Sequence, residues 1–195
     1  GVDPSCVPEP SFRIAIDEPA VMRDRAEAAV AAGFGTLKVK LGHGREATTL
    51  EAVRAGAPEA TIRVDANEAW TAREALGVME SLVEYDVEFV EQPVPADDPS
   101  GLALVHDRAP LPIAVDESVI RATDVPAVAD RTDIVNLKLM KAGGLREARR
   151  IIDVARAHGL EVMAGCMIET NASIAAAAHL APLLDYADLD GSLLL

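Results

Sequence analysis

Two lysines one residue apart are the first hint of chemistry in this sequence. Residues 36–41 read Thr-Leu-Lys-Val-Lys-Leu, with Leu37, Val39 and Leu41 on one parity and Lys38 and Lys40 on the other. Alternation of that kind belongs to a strand, so both ammonium groups leave one face. On an edge strand such lysines would point at water and deter pairing. The remaining charges argue for something else. Asp65 and Asn67 close the segment 61–67, Glu91 closes 87–92, Asp116 lies in 112–117 and Lys138 in 133–141. Glu169 follows 161–167, and Asp188 and Asp190 close 186–190. Each stands at or near the end of a strand-like segment. Three lysines (38, 40, 138) thus face six carboxylates. Partly dehydrated, such a cluster repels itself unless a cation enters. Three carboxylates from successive strands, all hard oxygen donors, suit Mg2+. The negative charge left over suits a cationic group on a substrate.

The elements that must hold these residues alternate along the chain. Strand patterns are read at 13–17, 36–41, 61–67, 87–92, 112–117, 133–141, 161–167 and 186–190. Helical patterns intervene, among them about 45–56, 71–85, 123–130, a run closed at Gly159 and an Ala-rich run over 170–181. Residues 93–112 read as a proline-interrupted connection. Eight strands alternating with seven helices predict a parallel sheet able to close into a TIM-like barrel, whose working residues sit at the C-terminal strand ends. The competing open, doubly wound sheet lacks its Gly-rich nucleotide fingerprint here. The expected organisation is a lead-in over residues 1–12 and one barrel domain over 13–195.

Composition narrows the function classes. The chain has 195 residues, half of them apolar, and a net charge of −14. That charge argues against nucleic acid and anionic membrane surfaces as partners. No 18-residue apolar run is present to make a transmembrane helix. The N-terminus carries neither a basic nor an apolar signal region. Cys6 and Cys166 form no spaced metal or disulfide pattern, so a cytoplasmic location is the default expectation. His43, His106, His158 and His179 fall in loops or helices and are not taken as ligands. Lys141 is off the parity of Lys138 and reads as a supporting residue.

Seven short motifs resemble one family. They are Lys-Val-Lys at 38–40, Asp-Ala-Asn at 65–67, Glu-Gln-Pro at 91–93, Asp-Glu-Ser at 116–118, Asn-Leu-Lys-Leu-Met-Lys at 136–141, Gly-Cys-Met-Ile-Glu at 165–169 and Asp-Leu-Asp-Gly at 188–191. In order and at barrel spacing they resemble the enolase superfamily, muconate-lactonizing subgroup, and within it the dipeptide epimerases of the L-Ala-D/L-Glu type. The resemblance implies a (β/α)7β barrel of the enolase C-terminal type and the following roles. Asp65, Glu91 and Asp116 would be the Mg2+ ligands, and Lys40 and Lys138 the two acid/base catalysts on opposite faces of the substrate. Lys38, Glu169, Asp188 and Asp190 would bind substrate, Lys38 at its carboxylate and the two aspartates at its α-ammonium. The reaction would be epimerisation of a dipeptide by 1,1-proton transfer through an enediolate. The partner is then a small dipeptide, and a homo-oligomer is left open. The alternatives are a cycloisomerase or o-succinylbenzoate synthase, or a metal-binding barrel that is silent alone. The last arises because family members carry an N-terminal α+β capping domain, which this chain, beginning almost at its first strand, is expected to lack.

Overall fold

The computed structural model describes residues 7–194. Eight short strands form: β1 (Ser11–Ile14), β2 (Thr36–Lys40), β3 (Thr61–Asp65), β4 (Val87–Glu91), β5 (Ile113–Val115), β6 (Ile134–Lys138), β7 (Glu161–Gly165) and β8 (Tyr186–Ala187). Their order in the sheet follows the sequence, β1 to β8. The pairings from β2 to β5 and from β6 to β8 are parallel. Among the described residues eight α-helices intervene: α1 (Pro19–Ala31), α2 (Glu46–Gly56), α3 (Ala72–Leu82), α4 (Pro99–Arg108), α5 (Val125–Val128), α6 (Leu139–Ala142), α7 (Leu145–Ala157) and α8 (Asn171–Ala178). Parallel strands in sequential order with helical crossovers are the connectivity of an α/β barrel. Among the described residues no helix is long and apolar enough to cross a membrane. Cys6 lies outside the described residues.

The chain divides into two compact units. In the unit formed by Phe12–Ala114, register explains the lysine parity. Lys38 is paired with Arg63 and Lys40 with Asp65, while Asp65 is in turn paired with Glu91. Paired residues on neighbouring strands share a face. One face therefore carries Lys38, Lys40, Arg63, Asp65 and Glu91, and the other carries buried Leu37, Val39, Ile62, Val64 and Val90. Helix α3 starts at a capping box, in which the Thr71 side chain and the Glu74 side chain each satisfy the other's backbone N–H. Gly56, at the end of α2, has no room for a Cβ: one would come within 2.3 Å of the Arg23 carbonyl on α1.

The other unit joins residues 7–11 to 115–194. Pro10 bridges Ala187 in parallel, so the segment entering β1 runs beside β8. Helix α7 buries Ala148, Ile151, Ile152 and Ala155 of the face its spacing predicts, while Leu145, expected on the same face, is exposed in the first turn.

Four elements differ from the sequence reading, the first being β1, which occupies Ser11–Ile14 instead of 13–17. The connection over 93–112 contains the ten-residue helix α4. Asp98 caps it, accepting from the Gly101 N–H at 2.8 Å, and Pro99 occupies the first turn, where a missing N–H costs nothing. Strand β6 stops at Lys138, and the next four residues turn into α6, closed by Gly143 at φ +83°. Strand β8 is two residues long, so Asp188 and Asp190 lie beyond its end.

Candidate active site

In the unit of residues 12–114, buried carboxylates and ammonium groups neutralise one another. Asp65 and Glu91 are completely buried, side by side at the ends of β3 and β4. The Lys38 ammonium bridges them, 3.1 Å from Asp65 Oδ2 and 2.7 Å from Glu91 Oε2, and is itself buried. Lys40 donates to Asp65 Oδ2 at 2.6 Å and to Asn67 Oδ1 at 2.7 Å. Burial works to raise the Asp65 pKa, but the charges of Lys38 and Lys40 and their hydrogen bonds outweigh it and hold the carboxyl well below the usual carboxylate range. Asn67 does not cap the following helix, whose cap is Thr71. Its side chain instead accepts from Lys40, and its backbone N–H reaches Asp65 Oδ1 at 2.9 Å. Asn67, Glu68 and Gln92 hold φ values of +45°, +66° and +39° just past two of the strand ends. Strained backbone of this kind collects at functional sites.

In the unit containing residues 115–194, Asp116 follows β5 and has each oxygen held by a different lysine. Lys138, at the end of β6, donates to Oδ2 at 2.5 Å, and Lys141, on α6, donates to Oδ1. Lys141 also donates to the Asp116 main-chain carbonyl at 2.5 Å. Lys138 is paired with Gly165 on β7. A Cβ on Gly165 would stand 2.7 Å from Asn136 Oδ1 and 3.1 Å from Lys138 Cε, so this glycine makes room for the Lys138 stem. Asp188 and Asp190 are both nearly fully buried. The buried Ser11 hydroxyl donates to Asp188 Oδ1 at 2.7 Å, and the Cys166 thiol lies 3.8 Å from Asp190 Oδ1. Burial, reinforced by Asp188, Asp190 and Glu169, pushes the Cys166 thiol up to about 12. Glu169 is buried but turned into its own loop, accepting from the Met167 N–H at 2.8 Å and from the Ser173 hydroxyl.

The structure thus groups the predicted residues locally. Lys38, Lys40, Asp65 and Glu91 form one linked set, Asp116 and Lys138 another. Sequence reasoning missed Ser11, Asn67 as a lysine partner, and the space left by Gly165. Ser11 had no signal, because its partner lies 177 positions away. The motif Asp-Ala-Asn contained Asn67, and the strand register could have paired it with Lys40.

Asp65, Glu91 and Asp116 are 26 and 25 residues apart, one strand–helix module each. Taken one by one, each is a buried carboxylate at or just past a strand end, a hard oxygen donor of the kind Mg2+ takes, and each is ion-paired with lysine in this structure. Among the described residues no group of three or more His, Cys, Asp or Glu stands ready to hold a metal.

Comparison with known proteins places these residues in a family. Residues 21–191 match the model of the enolase C-terminal domain-like family. The chain is 45% identical over 187 residues to an L-Ala-D/L-amino acid epimerase of Pedosphaera parvula, covering 94% of this chain and 53% of that protein. It is 39% identical to an L-Ala-D/L-Glu epimerase of Bacteroides thetaiotaomicron, covering 100% and 51% respectively. The chain therefore spans about half the length of the curated relatives it matches. Among solved structures, the dipeptide epimerase of Enterococcus faecalis complexed with Mg and L-Leu-L-Tyr superposes with a TM-score of 0.92 at 38% identity, over 98% of this chain and 56% of that one. The substrate-liganded L-Ala-D/L-Glu epimerase of Bacillus subtilis gives 0.92 at 35% identity, over 97% of this chain and 56% of that one. With its sequential parallel strands and its charged residues at their C-terminal ends, the chain belongs to the enolase C-terminal domain-like family.

Proposed function

We propose that this chain is the barrel of a Mg2+-dependent dipeptide epimerase that inverts the α-carbon beside the C-terminal carboxylate by 1,1-proton transfer. One observation carries the reading. Lys40 and Lys138 each end a barrel strand, and each hydrogen-bonds a buried carboxylate, Asp65 and Asp116 respectively. Two strand-end lysines supply, for either stereoisomer, one base to remove the α-proton and one acid to return it, with the roles exchanged between the two directions. The names of the relatives add the substrate class.

In this reading the neutral amine of one lysine takes the α-proton, and the electron pair left behind moves into the carboxylate to give an enediolate. The ammonium of the other lysine returns a proton from the opposite side. Reversal exchanges the two roles. Asp65, Glu91 and Asp116 would hold Mg2+, which supplies charge stabilisation to the substrate carboxylate as its negative charge grows. Asp188 and Asp190 take the α-ammonium through charge-assisted hydrogen bonds, with Ser11 orienting Asp188. Lys38 contributes the buried positive charge beside the substrate carboxylate, and Glu169 acts through the segment 167–173 that it ties together.

The test is a dipeptide library incubated with Mg2+ in deuterated solvent, using the longest natural form of the protein. Deuterium is expected at the α-carbon of the C-terminal residue, together with loss of optical purity there. A library in which no member exchanges that proton overturns the reading.

A further inference from the structure

Lys141 lies outside the catalytic pair, yet its ammonium is fully engaged. An ammonium has three N–H donors. Those of Lys141 meet the Asp116 carboxylate at Oδ1, the Asp116 main-chain carbonyl at 2.5 Å and the Val119 carbonyl at 3.4 Å. The side chain is only 16% exposed. All three acceptors belong to the short segment that follows β5. The other carboxylate oxygen, Oδ2, is left to Lys138 at 2.5 Å.

The arrangement depends on the local fold. On a strand continued through Lys141, positions 138 and 141 would point to opposite faces. The chain instead leaves β6 at Lys138 and winds into α6, which Gly143 closes with a left-handed turn. Lys138 keeps an extended backbone as the residue before α6 and Lys141 lies within that helix; with the strand broken between them, both ammonium groups converge on one carboxylate. Gripped by Lys141 at Oδ1 and at its own carbonyl, Asp116 has neither its backbone nor its carboxylate free to rotate.

We infer that Lys141 is a positioning residue. It fixes Asp116 so that Oδ2 is presented in one direction, toward Lys138 and, resting on the proposed function, toward the metal. A residue that merely stapled the 116–119 segment would affect stability but not metal affinity.

Calorimetric titration of Mg2+ alone separates these roles, using the longest natural form of the protein as wild type, Lys141→Met and Lys141→Arg. Removing a group that orients a ligand typically costs 10–100-fold in metal affinity. The Met variant, which keeps the stem and loses the ammonium, is expected to bind Mg2+ weaker by about that factor. The Arg variant, which keeps a cationic donor, is expected to recover most of the loss. A folded Met variant that binds Mg2+ like wild type overturns the inference, and so do Met and Arg variants that are equally weak. Should the Met variant fail to fold, Lys141→Gln replaces it in the same comparison. Wild type without Mg2+ affinity overturns the metal reading and this inference together. Wild-type binding with an unaffected Met variant overturns this inference alone.

Discussion

Lys40 and Lys138 have the same functional group in different surroundings. Lys40 shares Asp65 with Lys38 and also reaches Asn67, whereas Lys138 shares Asp116 with Lys141. If they serve opposite faces of one α-carbon, removing either should stop net epimerisation by roughly the 10²–10⁴-fold that a positioned acid or base contributes. Lys40→Ala and Lys138→Ala should still exchange the α-proton of one stereoisomer each, and of opposite hands. Mass-spectrometric deuterium uptake from each pure diastereomer reads this directly, and two variants preferring the same hand would sink the two-base assignment. Gly165→Ala probes Lys138 without removing it. The added methyl must displace Asn136 or the Lys138 stem, so overpacking of roughly 1–3 kcal/mol is expected, with turnover lost more steeply than thermal stability. Cys166 gives a pH signature. Its thiol sits at about 12 in the folded chain against an ordinary 9.0. A raised folded-state value means that the neutral thiol's contribution to stability is complete below about pH 9 and is lost as pH rises toward 12. Denaturation midpoints followed from pH 8 to 12 should therefore fall more in wild type than in Cys166→Ser.

At the scale of elements, the capping box of α3 offers a perturbation away from the chemistry. The Thr71 hydroxyl and the Glu74 carboxylate bond to each other and to each other's backbone N–H. Thr71→Ala should cost about 1 kcal/mol in chemical denaturation and leave turnover unchanged. A loss of turnover at full stability would tie α3 to the site instead. The elements also show which information the sequence carried. The alternation in β2 made the shared face of Lys38 and Lys40 legible, and the register with β3 bears it out. The apolar spacing of α7 was equally plain. Helix α4 was missed because its prolines read as interruption, although Asp98-Pro99 is a start signal once the cap is considered. Parity failed for Lys141 because parity holds only while the strand continues, and β6 ends three residues earlier. The bond from Ser11 to Asp188 joins the two ends of the chain, and no local pattern encodes such a bond. The motifs therefore pointed to strand ends, while the partners of each side chain came only with the fold.

For the molecule as a whole, a net charge of −14 raises a competing explanation for any preference for a free α-ammonium. A strongly anionic surface draws cationic groups without a specific site. The two causes respond differently to salt. Interactions between exposed charges are largely screened beyond about 8 Å at physiological ionic strength and about 3 Å at 1 M. Asp188 and Asp190 are 5% and 4% exposed, so a bond to them is screened far less. N-acetylating a dipeptide removes the cation and adds bulk where the clamp would hold it. Leaving a buried carboxylate without its partner typically costs about 2–5 kcal/mol. The expected outcome is that kcat/KM favours the free over the N-acetylated dipeptide by an amount in that range, and that most of the preference survives at 1 M salt. Asp188→Asn should reduce the preference in low and high salt alike. A preference that disappears with salt would assign it to the overall charge, and equal values for both dipeptides at low salt would remove the ammonium clamp and move the substrate toward N-acyl amino acids.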